Sequence, residues 1–252
     1  MRFDVITLFP ELFAPFLQTG VTRRAFDSGA LDVVFTNPRS FSQGNYQRVD
    51  DRPFGGGPGM VMMAEPLEQS LRQIRAQRGS PATVVLFSPL GRRLDHAQVQ
   101  RWAAGEGAIL VCGRYEGVDQ RFIDAHVDEQ ISLGDFVLSG GEVAAMALLD
   151  AVARLQHGVL GDATSHEQDS FNPTLDGLLD CPHYTRPESW HGITVPEVLL
   201  SGHHGRVARW RREQSLLLTQ KLRPDLLAQA RAGGRLSRQD EDCLAGSSLP
   251  DV

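Results

Sequence analysis

The residues best suited to bind a ligand lie at 131–142, where a predicted strand runs through glycines into a helix. This stretch reads Ile-Ser-Leu-Gly-Asp-Phe-Val-Leu-Ser-Gly-Gly-Glu, and a helical pattern follows from Glu142 to Arg154. Glycines ahead of a helix let a ligand approach the backbone, and the first N–H groups of the helix are free to donate to it. The same residues would also suit an ordinary β–turn–α corner, since short glycine motifs often occur without function.

Two earlier apolar runs end in the same way, which favours a binding site. Residues 83–88 are followed by Pro-Leu-Gly, and residues 108–112 are followed by Gly-Arg-Tyr-Glu-Gly. Apolar runs that alternate with helical patterns predict parallel strands buried on both faces. Ligands of open α/β sheets bind beyond the carboxyl ends of the strands. We therefore predict a small-molecule pocket there, walled by backbone groups and by side chains such as Tyr115 and Glu116.

Several common catalytic motifs are absent. Lys221 is the only lysine, so the chain has no Gly-x-x-x-x-Gly-Lys phosphate loop, and a Schiff-base lysine has little support. No Gly-x-Ser-x-Gly elbow of a serine hydrolase occurs. Residues 54–60 (Phe-Gly-Gly-Gly-Pro-Gly-Met) predict a mobile loop, either a phosphate cradle or a lid, but they lack the Gly-x-Gly-x-x-Gly spacing of a dinucleotide site.

The cysteines and histidines predict no metal site. Three cysteines without a Cys-x-x-Cys pair argue against a disulfide framework and for a reducing, cytoplasmic environment. Cys181, His183, His203 and His204 carry ligand chemistry, but their spacing fits no standard zinc pattern.

Positive charge is concentrated near the end of the chain. The net charge is −6, yet residues 201–240 hold nine Lys and Arg against three acids. This asymmetry predicts a polyanionic partner, with a solvated helix face as the alternative. No apolar run approaches membrane-spanning length, and the N-terminus indicates a buried strand and no secretory signal.

The pattern of elements predicts two domains. An α/β domain spans residues 1–160, a polar segment without periodicity forms a flexible linker at 161–176, and a mainly helical domain occupies 177–252. In the last domain, a helix over 206–221 presents its arginines to solvent.

Seven motifs in this order give the chain a specific resemblance. From Met1 to about Leu244 it resembles the bacterial tRNA (guanine-N1)-methyltransferases of the knotted SPOUT superfamily. The motifs that carry the resemblance are residues 54–60, 88–91 (Ser-Pro-Leu-Gly), 113–117 (Gly-Arg-Tyr-Glu-Gly), 134–142, 169–171 (Asp-Ser-Phe), 179–187 (Leu-Asp-Cys-Pro-His-Tyr-Thr-Arg-Pro) and 201–204 (Ser-Gly-His-His).

The resemblance implies a fold and a cofactor. The fold would be a SPOUT-type α/β domain with a mostly parallel sheet and a deep C-terminal trefoil knot, an exception to the rule that chains do not thread, followed by a small helical domain. Three loops at the knot would bind S-adenosylmethionine. The implied cofactor-binding residues are Leu86, Ser88, Pro89, Gly91, Gly113, Tyr115, Glu116, Gly117, Leu133, Gly134, Asp135, Phe136, Val137, Leu138, Gly140 and Gly141.

The resemblance also implies the chemistry. The substrate would be the guanosine immediately 3′ of the tRNA anticodon, methylated on N1, with Asp169 as the general base and Arg154 stabilising O6. Without the resemblance, ordinary roles are favoured: a solvated loop acid or a helix cap for Asp169, and a cation at a helix C-terminus for Arg154. The family acts as a homodimer, assisted by a divalent cation such as magnesium. The predicted tRNA contacts are Asp180, His183, Arg186, His203, His204, Arg209 and Arg212.

Helix geometry indicates how a dimer would be used. Arg154 lies thirteen positions beyond Gly141, which is roughly 20 Å along a helix. An arginine cannot reach back over that distance to its own cofactor loop, so we predict active sites shared between subunits.

Two departures from the family pattern fall in the linker, which is longer at 172–176 and carries Gln168 before Asp169. Two alternative functions stay open from the sequence: a related RNA methyltransferase that modifies a ribose 2′-hydroxyl, and a non-enzymatic RNA-binding module.

Overall fold

A computed structural model describes residues 1–42, 46–161 and 165–246 of the chain. The chain divides into two compact units, Met1–Ala163 and Thr164–Val252. Among the described residues, no helix is long and apolar enough to cross a membrane.

The described residues of the first unit form the strands β1 (Arg2–Ile6), β2 (Asp32–Thr36), β3 (Asp50–Asp51), β4 (Val61–Met62), β5 (Val84–Arg93), β6 (Ile109–Val111) and β7 (Glu129–Ser132). Five of them build a parallel sheet in the order β2-β1-β6-β5-β7. Strands β3 and β4 pair separately as a short antiparallel hairpin.

Helices cover both faces of this sheet, because successive side chains of a strand point to opposite sides. Along β5, Val85 packs in one buried cluster with the helix formed by residues 142–154, and Leu86 packs in the other. The α-helices are α1 (Ala14–Gln18), α2 (Arg23–Asp27), α3 (Ala64–Gln77), α4 (His96–Ala103), α5 (Gln120–His126) and α6 (Glu142–Arg154), with 3₁₀ turns at Pro10–Phe13 and Pro38–Phe41.

The predicted α/β class with a mostly parallel sheet is confirmed, and so is helix α6. One local prediction was wrong: the strand at 131 was expected to continue past Gly134 through Leu138, but it ends at Ser132, and residues 136–138 are loop. Residues 54–60 form a loop, as predicted, and the short strands β3 and β4 on its two sides pair with each other.

The second unit has a helical core and a separate small hairpin. Leu178, Leu216, Leu227, Ala230 and Leu244 form its buried cluster. Its elements are β8 (Ser189–Trp190), β9 (Ile193–Thr194), α7 (Glu197–Leu200), α8 (His204–Leu222), α9 (Pro224–Ala232) and α10 (Arg238–Gly246), preceded by 3₁₀ turns at Ser165–Gln168 and Pro173–Leu175.

The predicted linker has local structure over much of its length. Residues 162–164 lie outside the described residues, but the rest carries both 3₁₀ turns. Phe171 N donates to Leu178 O at 2.8 Å, and Asn172 is buried while its side chain accepts from Thr174 N. The extra residues at 172–176 therefore form a capped turn.

Candidate functional site

Three loops, one inside β5 and two after the carboxyl ends of β6 and β7, surround one cavity of about 400 Å³. Parallel strands bring their carboxyl ends to the same edge of a sheet, which is why loops far apart in sequence meet there. A cavity of this size is within the usual range of small-molecule sites. Its lining combines main-chain atoms of glycines with apolar side chains such as Leu86, Ile131 and Leu133.

The first loop is a bulge inside β5. Ile131 of β7 lies opposite both Phe87 and Arg92, so residues 88–91 leave the ladder and project into the cavity edge. Gly91 is needed where the chain returns, because a Cβ there would overlap the backbone of Gln130 and Ile131.

The second loop, 113–117, forms backbone hydrogen bonds with residues 60–62, which follow the glycines at 55–59. Glu116 N donates to Met60 O at 2.9 Å, and Met62 N donates to Gly117 O at 2.8 Å. A Cβ on Gly59 would overlap the Glu116 side chain. Tyr115 adopts a φ of 60°, a conformation that is uncommon for a residue with a side chain.

The third loop, 133–141, closes against the second. Gly141 N donates to Gly113 O at 2.9 Å, and Arg114 forms an antiparallel bridge with Gly140. A Cβ on Gly141 would lie 2.8 Å from the Cα of Cys112. Glycine is therefore required here for close approach of two backbones, not for an unusual φ, which is −76°.

The cavity takes in most of the predicted cofactor-binding residues. Gly91, Gly134 and Asp135 do not line it; Asp135 instead forms an ion pair with Arg93 at 2.7 Å. Sequence reasoning overlooked several lining residues, among them Arg114 and Ser139, which stand inside the quoted motifs. The lining residues that were predicted are Leu86, Ser88, Pro89, Gly113, Tyr115, Glu116, Gly117, Leu133, Phe136, Val137, Leu138, Gly140 and Gly141.

The two predicted catalytic residues belong to different units. Arg154 is the last residue of α6 and half-buried. Asp169 follows the 3₁₀ turn Ser165–Gln168, is half-buried, and its carbonyl accepts from Asn172 N at 3.2 Å. Their catalytic roles stay predictions.

The residues predicted to contact tRNA lie in the second unit, and most are exposed. His203 occupies the N-cap position of α8 without a side-chain capping hydrogen bond, and His204 begins the helix, two residues before the predicted start at Arg206. His183 Nε2 lies 2.8 Å from Asp180 Oδ2, while Arg186 is exposed. Arg209 pairs with Glu213 at 3.2 Å on the surface of α8. Their contacts with RNA stay predictions.

Arg212 differs from the other predicted RNA contacts, because two carboxylates already engage it. Its guanidinium lies 2.7 Å from Asp176 and 2.9 Å from Asp240. The hydrogen bond from Arg212 is the main cause that lowers the pKa of the Asp240 carboxyl to about 2. Asp240 also accepts from Ser237 N. The role that this geometry supports is to hold the second unit together, and RNA could reach the guanidinium only by displacing these partners.

No group of three or more His, Cys, Asp or Glu among the described residues is arranged to hold a metal ion. The divalent cation implied by the family resemblance therefore finds no matching donor set here. The three cysteines are unpaired, and burial raises the pKa of the Cys112 thiol well above its usual value.

Comparison with known proteins identifies relatives over nearly the whole chain. The family described as tRNA (Guanine-1)-methyltransferase TrmD matches residues 1–229. A protein of Albidiferax ferrireducens named tRNA (guanine-N(1)-)-methyltransferase is 73% identical over 97% of this chain and 99% of its own length. Proteins of the same name from Paracidovorax citrulli and Leptothrix cholodnii are 71% and 63% identical, covering 97% and 99% of this chain and 98% and 100% of their own lengths.

Proposed function

The chain belongs to the tRNA (guanine-1)-methyltransferase family, and from this premise we propose how its residues methylate N1 of a guanine in tRNA. The activity itself follows from membership, since relatives of the same length bear that name. Membership of a methyltransferase family also implies S-adenosylmethionine as the methyl donor. The observation that carries the proposal is the cavity enclosed by loops 88–91, 113–117 and 133–141.

The cavity fits the implied donor. Its volume of about 400 Å³ and its apolar wall suit an adenine ring, and the glycines at 113, 117, 140 and 141 expose main-chain groups for polar contacts. The bulge at 88–91 gives one side of the cavity a main chain that is free of ladder partners. When bound, S-adenosylmethionine supplies an electrophilic methyl group on a sulfonium. Gly91, Gly134 and Asp135 would act by shaping these loops.

The guanine base must lose the proton on N1 before N1 can react. Guanine N1 carries a proton at neutral pH, and removing it places negative charge on O6. We assign proton removal to the Asp169 carboxylate and charge stabilisation to the Arg154 guanidinium. The proton would first move from N1 to a carboxylate oxygen of Asp169. N1 would then bond to the methyl carbon as the bond from that carbon to sulfur breaks, and S-adenosylhomocysteine would leave. Assistance by a divalent cation stays a prediction of the family resemblance.

The substrate position would be the guanosine immediately 3′ of the anticodon. Its N1 edge has to reach the cavity, so the base would leave the stack of the anticodon loop. The exposed residues Arg186, His203, His204 and Arg209 would contact tRNA from the second unit, where basic side chains outnumber acids in residues 201–240. Asp180 would orient His183, to which it lies close.

We also propose that the α/β unit is knotted. From the sheet edge at β7 the chain passes the bulge of β5 and bridges Arg114, which follows β6, through Gly140. A segment that leads from the edge strand β7 to the end of β6, with β5 between them in the sheet, supports a trefoil threading. We propose in addition that residues 1–160 and 177–252 act as two domains joined by the segment between them.

The active site would be shared between two copies of the chain. Helix α6 has 13 residues, so its end lies roughly 20 Å from the cofactor loop at its start. Leu138 and Val143 are exposed apolar side chains beside that loop, and exposed apolar patches commonly mark interfaces. Pairing of two copies across this surface would bring the Arg154 of one copy to the cofactor loop of the other.

The function is tested by methyl transfer to two tRNA transcripts. One carries guanosine 3′ of the anticodon and the other carries adenosine there, with all other positions identical. We expect N1-methylguanosine from the first and no transfer to the second. A methyl group on a ribose 2′-hydroxyl would indicate the related class instead. Absence of both transfer and a thermal shift with S-adenosylmethionine would leave an RNA-binding module.

A further inference from the structure

Glu142 is a buried carboxylate immediately behind the cofactor cavity, and the proposed chemistry does not use it. It is the first residue of α6, is 1% exposed and does not line the cavity. One oxygen, Oε1, accepts a hydrogen bond from Thr7 Oγ1 at 2.8 Å. Thr7 is itself fully buried just after β1, and its hydroxyl accepts from Phe9 N at 3.0 Å. Glu142 is therefore anchored to the end of β1.

The second oxygen of Glu142 faces Arg114. Arg114 Nε lies 2.8 Å from Glu142 Oε2 in an ion pair whose N–H is not directed along the contact. The Arg114 guanidinium carbon sits 4.5 Å from the centre of the Phe9 ring, an attractive cation–π arrangement. Burying a carboxylate is costly unless it is paired, so this pairing also fixes where Arg114 can lie.

Arg114 connects two of the three cofactor loops. It belongs to loop 113–117, bridges Gly140 through the backbone, and donates from a terminal guanidinium nitrogen to Ser139 O at 3.3 Å. Its side chain fills the space that a Cβ on Gly140 would occupy. Any shift of the guanidinium therefore changes the spacing of both loops around the cavity.

We propose that Glu142 is a positioning residue: it holds Arg114 against the end of β1, and Arg114 in turn sets the separation of loops 113–117 and 133–141. The inference rests on the proposed function, since it takes the cavity as the cofactor site. Glu142 touches neither the cofactor nor the base in this account. Its effect on binding must pass through Arg114.

The test uses Glu142→Gln in the full-length protein, with S-adenosylhomocysteine as the probe. The amide keeps the size of the carboxylate and a partner for Thr7, but it removes the charge that attracts Arg114. We expect the Kd from calorimetry to rise by about tenfold or more, as for other interactions with a charged group. Glu65→Gln is the matched control, because it makes the same change in the first turn of α3 at an exposed position.

A double-mutant cycle separates positioning from a purely structural role. In an Arg114→Met background, Glu142→Gln should cause no further rise in Kd, since the residue through which it acts is gone. Additive effects would overturn the inference. If Glu142→Gln does not fold, Thr7→Val takes its place, and an unchanged Kd in that variant would equally overturn it.

The wild-type measurement distinguishes the two levels of the account. Wild type that binds the probe, together with Glu142→Gln that binds it equally well, contradicts only the positioning role. If the wild type does not bind the probe, the assignment of the cavity as the cofactor site is contradicted, and so is the positioning role of Glu142.

Discussion

Gly141 gives the sharpest test of the cofactor cavity, because a single methyl group there must displace backbone. A Cβ on Gly141 would lie 2.8 Å from Cys112 Cα, and ordinary van der Waals contact begins at 3.4 Å. The two segments would have to separate by about 0.6 Å. Alanine adopts the φ of −76° and ψ of −7° at this position without strain. The effect of Gly141→Ala would therefore come from contact alone.

The magnitude follows from the cost of overpacking. Inserting a carbon into a close-packed site costs about 1–3 kcal/mol. In the free protein, loop 133–141 can relieve the contact by moving away from Gly113. The ligand requires the unrelaxed spacing, so the cost appears in binding. We expect the Kd for S-adenosylhomocysteine to rise by about five- to 150-fold.

The assay is calorimetric titration of folded Gly141→Ala, with Gly79→Ala as the matched control. A Cβ on Gly79 meets nothing within 4 Å, so the same chemical change there should leave the Kd unaltered. Wild-type affinity in folded Gly141→Ala would refute the close approach of loops 113–117 and 133–141 as a determinant of binding.

Two further predictions concern the second unit and the assembly. The Asp240 carboxyl has a pKa of about 2 in the folded protein against an ordinary 3.8, so its contribution to stability is present above about pH 4 and is lost as the pH falls towards 2. Asp240→Asn should lower the unfolding free energy, measured by denaturant titration, by about 1–3 kcal/mol near neutrality, and the unfolding free energy should then depend less on acid pH. Asp225→Asn, which removes a carboxylate from an exposed ion pair, is the control and should have less effect. Equal effects of the two substitutions would contradict the role assigned to Asp240. Mixing inactive Arg154→Ala and Asp169→Ala chains should restore activity at about a quarter of the sites, if the chains exchange freely in a two-fold dimer. A mixture of Asp169→Ala and Asp169→Asn chains offers no intact site and is the control. Absence of recovery in the first mixture would contradict a site shared between subunits.

The sequence predicts the loops around the cavity well because their constraints are local. An apolar strand followed by glycines predicts both a strand end and exposed backbone, and the loops at 88, 113 and 133 do surround one cavity. The bulge of β5 was not predictable in this way, because it depends on Ile131 lying opposite both Phe87 and Arg92. Pairing register between distant strands leaves no trace in a single sequence.

The contacts of charged side chains were the least predictable part. Arg212 and Arg209 occur in the same basic helix, yet Arg212 is held by two carboxylates, those of Asp176 and Asp240. Of these two, Asp176 belongs to the inserted turn at 172–176. Glu142 looked like an ordinary first residue of a helix. Its burial depends on Thr7, which lies 135 positions away along the chain.

The central claim is that Asp169 removes the proton from guanine N1, and one measurement tests it most directly. Methyl transfer from labelled S-adenosylmethionine to a tRNA transcript is compared between wild type and Asp169→Asn, with the methylated atom mapped and S-adenosylhomocysteine binding measured in parallel. We expect wild type to form N1-methylguanosine, and the variant to bind the probe normally while its rate falls by about 10²-fold or more. Transfer at the wild-type rate by Asp169→Asn would contradict the assignment of Asp169 as the base.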